Sequence, residues 1–506
     1  LSTEQMQKLY MPCRNRPFLT FAKRVVVALG LVVAVMSLTS CGSGTSSPQS
    51  TVTTTSTRTL KITTSTQFSP TFDPTISDYV VTPSSDAPIQ ITITAPADTQ
   101  VSVDGSPFHT QTFTTPVSIS PGQSFSIVVR SPESSQTYYV RCLPTDFPTW
   151  TTERPGTPQA EYFVITPNIP ISKGTPGHYV IVADSYGVPV WWYRSSDEPH
   201  DALLLPDGNI AWNLTNNAEE HKLNGALVRS MTVENVSGGG FDFHELRQLP
   251  NGDIIIIADV PRGPVDLSAY GGSTTGVVVD NVIEEIAPDN SLVWHWSAMD
   301  HIPVSETDPQ WRQQNIQQLI PADPYHMNSV EPNGDGFIVS FRHLDSVIRV
   351  DKASGNIVWK LGGTHRTESL TFHGDPYGNF GGQHDARVLT DGTLTVHDNG
   401  TEQGRPPRAV RYSIDTTART AVRMEQVGDP SVTGSDCCGS ARKGSGGDWV
   451  VSWGLSPVVT ELTPTGARVF RMTFNQGYAS YRAEPVPFGV LSRTTLRAGM
   501  DAQFPR

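Results

Sequence analysis

Four times along this chain an apolar run stops at an Asx-Gly turn and resumes on the other side. The runs are Leu205-Pro-Asp-Gly208-Asn-Ile-Ala-Trp212, Leu249-Pro-Asn-Gly252-Asp-Ile-Ile-Ile256, Val330-Glu-Pro-Asn-Gly334 with Phe337-Ile-Val339, and Leu389-Thr-Asp-Gly392-Thr-Leu394. Glycine after Asp or Asn supplies the tight reversal that joins two antiparallel strands, so each run reads as a hairpin. A second element recurs between them: Gly187 to Trp192, Asn290-Ser-Leu-Val-Trp294, Gly355-Asn-Ile-Val-Trp359 and Gly466-Ala-Arg-Val-Phe470. Two hairpins make a four-stranded sheet, and repeats of about 40 to 60 residues read as propeller blades. Six blades are expected, near residues 161–198, 199–235, 240–298, 325–362, 383–427 and 437–475, with Tyr481 to Phe488 left to close the ring. A solenoid of strands is the rival; closure is favoured because it removes exposed sheet edges. The expected fold class is therefore all-β, a six-bladed β-propeller with a small N-terminal β-sandwich.

That sandwich is read over residues 58–143, where short alternating runs (Ile89 to Ile93, Val101-Ser-Val103, Phe125 to Val129, Tyr138 to Val140) are separated by Pro, Gly, Asp and Ser clusters. Phe68-Ser-Pro-Thr-Phe72-Asp-Pro, Asp78-Tyr79-Val80 and Tyr138-Tyr139-Val140 resemble a bacterial cadherin-like domain, which implies a spacer or adhesive module. Residues 144–160 read as a linker, 161–490 as the propeller and 491–506 as a tail. Before the sandwich, Arg14, Arg16, Lys23 and Arg24 precede an apolar run from Val25 to Leu38, a signal-peptide pattern over residues 1–40 that implies export. Leu38-Thr-Ser-Cys41-Gly42 resembles the bacterial lipobox, which implies a diacylglycerol on Cys41 and membrane attachment, with residues 41–57 as a Ser/Thr-rich tether. In an oxidising compartment Cys437 and Cys438 are able to close a vicinal disulfide or to stay as two small buried thiols. The formal charge of −13 and the lack of a basic cluster after the signal argue against nucleic acid as a partner.

The chemistry-bearing stretch is Asp323-Pro-Tyr-His326-Met-Asn328-Ser-Val330, followed across the Asn333-Gly-Asp-Gly336 turn by Ser340-Phe-Arg342. In an extended strand His326 and Asn328 share a face, with Met327 on the other. A hairpin would return Arg342 beside them, joining an acid/base, an amide donor and a guanidinium fork suited to a small tetrahedral oxyanion. Histidines also open the first strands of other repeats, as His200-Asp201, His244-Glu245 and His384-Asp385. The start of each innermost strand lies at one mouth of a propeller channel, so these positions are expected to converge. The same alternation predicts that His343 turns away from Arg342, and Asp385 from His384. His397 and Asp398 read as surface or blade-stabilising residues, and Trp191-Trp192, Trp294, Trp296 and Trp359 as core.

On these motifs the second domain resembles the bacterial arylsulfotransferase family. The resemblance implies a six-bladed propeller that moves a sulfuryl group from an aryl sulfate donor to a phenolic acceptor through a histidine. His384, in Gly382-Gln-His-Asp-Ala386, matches the transiently sulfurylated histidine; His326 and Asn328 match the His-x-Asn pair; Arg342 matches the site arginine and His244 the remaining histidine. Chemically, a neutral imidazole can attack sulfur, Arg342, Asn328 and His244 can hold the three oxygens, and His326 can shuttle the phenol proton from an ordinary pKa of about 6.5. No sulfonucleotide, other cofactor or metal is needed. Two rivals are a non-catalytic propeller that binds carbohydrate or protein, and a quinoprotein-like dehydrogenase suggested by the Gly-x-x-Val-Trp element.

Overall fold

The computed structural model describes residues 60–82, 87–168, 177–233 and 239–506. The expected signal over residues 1–40, Cys41 and the tether over residues 41–57 lie outside the described residues. Among the described residues no helix is long and apolar enough to cross a membrane. The protein is all-β with a propeller-like arrangement.

At the N-terminal side two sheets face each other across one core. One has the strands Lys61–Thr64, Ile89–Thr94 and Thr112–Val117; the other runs Asp78–Val81, Ser135–Cys142, Ser124–Arg130, Gln100–Val103, His109–Thr110. Alternation decides the faces: Ile89, Ile91 and Ile93 point inward with Phe125, Ile127 and Val129, and the residues between them are more exposed.

Beyond residue 160, among the described residues, the strands form three four-stranded sheets, one five-stranded sheet and one nine-stranded sheet. In the nine-stranded sheet Ser369–His373 joins two antiparallel sets of four by parallel pairing on both sides; taking each antiparallel set of four as a unit gives six units. The last five begin with the strands Ala202–Leu204, Gly240–Gln248, Met327–Asn333, His384–Val388 and Ser440–Lys443. The first unit is assembled from both ends of this region. Its innermost strand is Ser480–Pro487, which pairs with Ala160–Pro167, followed by His178–Asp184 and Pro189–Ser195. Ser480–Pro487 lies beside Ser440–Lys443 on one side and Ala202–Leu204 on the other, and Gly240–Gln248 lies between Ile210–Asn213 and Met327–Asn333. Met327–Asn333, His384–Val388 and Ser440–Lys443 neighbour one another in turn, so the units follow each other around a ring. The Asx-Gly turns sit where expected, with positive φ at Gly208, Gly252, Gly334 and Gly392.

Two segments do more than their composition announces. Within the Pro/Thr-rich stretch 144–160, Trp150–Glu153 adds a fifth, outer strand to the sixth unit. Residues 491–506, read as a tail, contain the helix Arg493–Gln503. Leu496 and Met500, one turn apart, bury against the first unit, while Arg493 and Arg497 reach Asp78 of the N-terminal sheets at 2.8 and 2.6 Å. Arg493 also pairs with Asp184 at 2.8 Å. An eleven-residue helix with a mostly polar surface is set by that docking rather than by propensity.

Candidate active site

The predicted hairpin forms, with Val330 opposite Val339, and the Arg342 amide donates to the His326 carbonyl at 2.9 Å. The predicted orientation of His326 does not hold. The strand starts at Met327, His326 has a φ of 55°, and the register slips between Met327 and Ser329. The two-residue alternation therefore does not reach His326. Its direction is set instead by Asp323, whose carboxylate accepts from the His326 backbone amide at 3.1 Å and from Nδ1 at 2.5 Å. Asn328 is wholly buried and donates from Nδ2 to the Gln383 carbonyl at 2.8 Å, which spends one of its two N–H groups and ties it to the residue before His384.

His343 is the second correction. The strand ends at Phe341 and Arg342–Leu344 is a 3-10 turn, so alternation no longer separates neighbours. Arg342 Nη1 donates to His343 Nε2 at 2.8 Å, His343 Nδ1 donates to the Asp323 carbonyl at 2.8 Å, and the His343 ring lies 4.5 Å from that of His326. The guanidinium also donates from Nη2 to the Asp436 carbonyl at 2.9 Å and stacks 4.2 Å from the Trp311 ring. Trp311 stands on a single helical turn, Pro309–Arg312, capped by Asp308.

His384 opens its strand and is buried. Its Nδ1 donates toward the Gly382 carbonyl at 3.0 Å and Asn399 Oδ1 at 2.9 Å. That fixes the proton on Nδ1 and leaves the lone pair on Nε2, which accepts from the Cys438 amide at 3.2 Å. Asn399 is itself oriented, donating to Ser435 Oγ and the Cys438 carbonyl. Gly382 is held from beneath by Asp345, whose carboxylate accepts from the Gly382 amide at 2.8 Å and Trp311 Nε1 at 3.1 Å; burial pushes its pKa up to about 7. His244 is oriented in the same manner as His326, with Nδ1 2.7 Å from Asp242 Oδ1 and its ring 5.0 Å from the His326 ring.

Burial holds the pKa of His384 well below the usual imidazole range, and the nearby positive charge of Arg342 and the His244 ring push it the same way. Burial likewise lowers His326, assisted by His244 and Arg342, and raises Asp323. His326 therefore does not keep the ordinary value near 6.5 expected for it; enclosure by the ring favours its neutral form.

The structure thus brings His244, His326, Arg342 and His384 into one electrostatic neighbourhood, with Asn328 as a tie between two strands. It adds members that the sequence pattern left out: Asp323, His343, Asp345, Asn399, Trp311, the Cys438 amide and Tyr481. The Tyr481 ring lies 5.8 Å from His244, and its buried hydroxyl has no hydrogen-bond partner among the described residues. An Asp two or three positions before a histidine, as in Asp242-Phe-His244 and Asp323-Pro-Tyr-His326, was a readable signal; Tyr481 and Asn399 carried none. His200 stacks on Phe243 with ring centroids 3.8 Å apart. His397 is buried against Trp453, and Asp398 pairs with Arg405 and Arg408, so neither is a surface residue. Cys437 and Cys438 are buried with their sulfurs 2.7 Å apart, a proximity compatible with both states the sequence allows.

Asp323, His326 and His343 offer three potential metal-ligand atoms within 4.8 Å of one another. The set fits a cation poorly, because His343 Nε2 is already engaged by the Arg342 guanidinium, whose charge would repel the ion. The same guanidinium and the neutral imidazoles suit an anion.

Fold and site together define a propeller-like all-β protein with a buried cluster of histidines around one arginine. Residues 207–475, slightly over half of the 506-residue chain, match the model of the arylsulfotransferase (ASST) family. The chain belongs to that family. No curated protein matches it. Similar solved structures include a protein of unknown function from Bacteroides caccae, at 11% identity and a TM-score of 0.42, covering 65% of this chain and 99% of that one. A streptogramin B lyase is similar at 10% identity and 0.30 (64% and 98% covered), and a luciferin-regenerating enzyme at 12% and 0.33 (67% and 100%).

Proposed function

We propose that this protein is a six-bladed propeller aryl sulfotransferase that works without a sulfonucleotide, in two half-reactions through a sulfurylated His384. The observation that carries the reading is the state of His384: Nδ1 is held as a donor by two acceptors, and burial favours the neutral ring. Nε2 carries the lone pair, met by the Cys438 amide at 3.2 Å, a contact that must yield to the sulfur. A neutral imidazole so fixed is an activated nucleophile.

In the first half-reaction His384 Nε2 attacks the sulfur of an aryl sulfate, an N–S bond forms, the S–O bond to the aryl group breaks, and a phenolate leaves. Charge spreads over the peripheral oxygens of such a loose transition state, where preorganised donors act most strongly. Arg342 presents its fork from a stacked, doubly hydrogen-bonded position, the Cys438 amide lies beside Nε2, and the second N–H of Asn328 is available. In the second half-reaction a phenol attacks the same sulfur and Nε2 is released. His326, neutral and backed by Asp323, accepts the phenol proton at Nε2. By microscopic reversibility its imidazolium protonates a basic phenolate as it leaves; the negative charge of a bound sulfate monoester offsets Arg342 and favours that imidazolium. We place the enzyme outside the cytoplasm, tethered through lipid on Cys41, with the N-terminal β-sandwich as a spacer.

The test is to incubate purified protein with 4-nitrophenyl sulfate, with and without phenol. The expected result is acceptor-dependent release of 4-nitrophenol and a gain of one SO3 mass on His384. Both should vanish in His384→Ala. Release that survives this substitution overturns His384 as nucleophile; no release from any aryl sulfate favours the binding-module reading.

A further inference from the structure

Beneath the histidines lies a buried cluster of charge that the transfer chemistry does not use. Arg482, 3% exposed, occupies the innermost strand Ser480–Pro487 of the first unit. Its Nη1 pairs with Asp201 of the second unit and, at 3.1 Å, with Glu245 of the third. Its Nη2 donates to the Asn328 carbonyl of the fourth at 2.7 Å, and its Nε lies 3.5 Å from Asp385 of the fifth. Asp385 in turn takes Arg442 of the sixth unit at 2.9 Å and Arg387 at 2.9 Å, and Arg387 returns to Glu245 at 2.8 Å. Every one of the six units contributes a member, from its innermost strand or, for Asp201, the residue before it. The neighbouring guanidinium groups hold Asp385 far below the usual carboxylate range and Glu245 at about 2, against the opposing effect of burial, whereas burial raises the pKa of Asp201 despite the pull of Arg482.

The members are spaced in a regular way. His200 precedes Asp201, His244 precedes Glu245, His384 precedes Asp385, and Tyr481 precedes Arg482. An aromatic or imidazole side chain at the site is thus followed, one residue on, by a charge in the cluster. Burying so many charges carries a desolvation cost that pairing only roughly offsets, so net stability is a weak reason for keeping them. Geometric definition is a better one: a guanidinium touching four strands fixes their relative rotation, and with it the residues one peptide bond away.

We infer that Arg482 is a positioning residue, the hub of a buried ion-pair ring that sets the register of the six innermost strands and so aims His244 and His384 at one sulfuryl group. The inference rests on the sulfotransferase reading for its kinetic consequence but not for its structural one. The test uses the full chain with Arg482→Lys, which keeps the charge and loses the fork, and Asp201→Asn, which keeps the shape and loses one contact. The expected result for folded Arg482→Lys is a kcat lower by about 10- to 100-fold, with KM for 4-nitrophenyl sulfate within about threefold of wild type, the cost of a displacement on the order of 1 Å. Long-range 15N–1H spectra of 15N-histidine-labelled protein should show moved His384 and His244 ring resonances at constant pH. If Arg482→Lys does not fold, Asp201→Asn decides alone, with a smaller kcat loss and the same spectral shift. A folded variant with wild-type kcat and an unchanged histidine spectrum overturns the inference, as does activity loss matching only the unfolded fraction. If wild type transfers no sulfuryl group, the sulfotransferase reading fails, while the spectra still decide the ring.

Discussion

Asp323→Asn separates the two jobs assigned to His326. The side chain of Asn has the same shape and keeps an acceptor for the His326 amide, now 3.1 Å from Oδ1, so the local turn is retained. What is lost is the carboxylate whose Oδ2 lies 2.5 Å from His326 Nδ1 and can stabilise an imidazolium there. A hydrogen bond to a charged group contributes about 1.5–3 kcal/mol. Applied to the imidazolium that forms as a phenol proton is taken up or delivered, ~2–3 kcal/mol corresponds to roughly 30- to 150-fold in rate. An Asn amide that donates to Nδ1 also moves the proton to Nε2, the wrong nitrogen for a base, which deepens the loss. The effect must depend on the leaving group. 4-Nitrophenolate is a weak base and departs unaided, so in stopped-flow its first-turnover burst should stay within about tenfold of wild type. Unsubstituted phenyl sulfate, whose phenolate needs a proton, should react ~30- to 150-fold more slowly, and transfer to phenol from the preformed sulfohistidine should slow by a similar factor. Equal losses for both donors, or none for either, would refute the assignment of Asp323 and His326 as the proton-handling pair.

Arg342→Lys replaces a fork held by His343, the Asp436 carbonyl and Trp311 with a mobile point charge, and kcat/KM for aryl sulfate should fall by about 100- to 1000-fold in steady-state assays. Because the His384 pKa lies well below the ordinary ~6.5, the nucleophile is already neutral there, so the 4-nitrophenol burst should be flat from pH 8 to about 6.5 and decline only in more acidic buffer; a midpoint at 6.5 or above counts against the reading. The same depressed value makes the unfolded chain bind a proton that the folded protein refuses. Below about pH 6.5, wild type should therefore lose stability relative to His384→Gln by up to ~1.4 kcal/mol per pH unit, measured by urea denaturation. Met500→Ala empties a wholly buried position between the helix Arg493–Gln503 and the first unit, and should cost about 2–5 kcal/mol in the same experiment.

The strands, their hairpins and the family were legible because they depend on local rules. Asx-Gly turns require a positive φ that glycine supplies, and apolar alternation sorts a strand's faces wherever the backbone stays extended. Reading failed where the backbone left that regime. His326, with a φ of 55°, and Arg342–Leu344, a 3-10 turn, sit at strand ends, and the two-residue period used to orient His326 and His343 does not apply there. The helix Arg493–Gln503 escaped because its stability comes from partners more than 300 residues away, among them Asp78 and Asp184.

By itself, then, the sequence determined where the hairpin turns fall and that His244, His326, Arg342 and His384 lie in or beside the repeated strands, although only His384 opens one. Tertiary structure decided what those residues are. It placed Tyr481 and Arg482 at the inner edge of the first unit by pairing Ser480–Pro487 with Ala160–Pro167, a contact across some 300 residues. It set the proton of His384 on Nδ1 through Asn399 and Gly382, and by burying His384 and His326 it lowered their pKa values and favoured their neutral forms. The physical reason is range. Turn and strand preferences act over a few residues, whereas desolvation, tautomer choice and ion pairing depend on the atoms that the closed ring brings within a few ångströms.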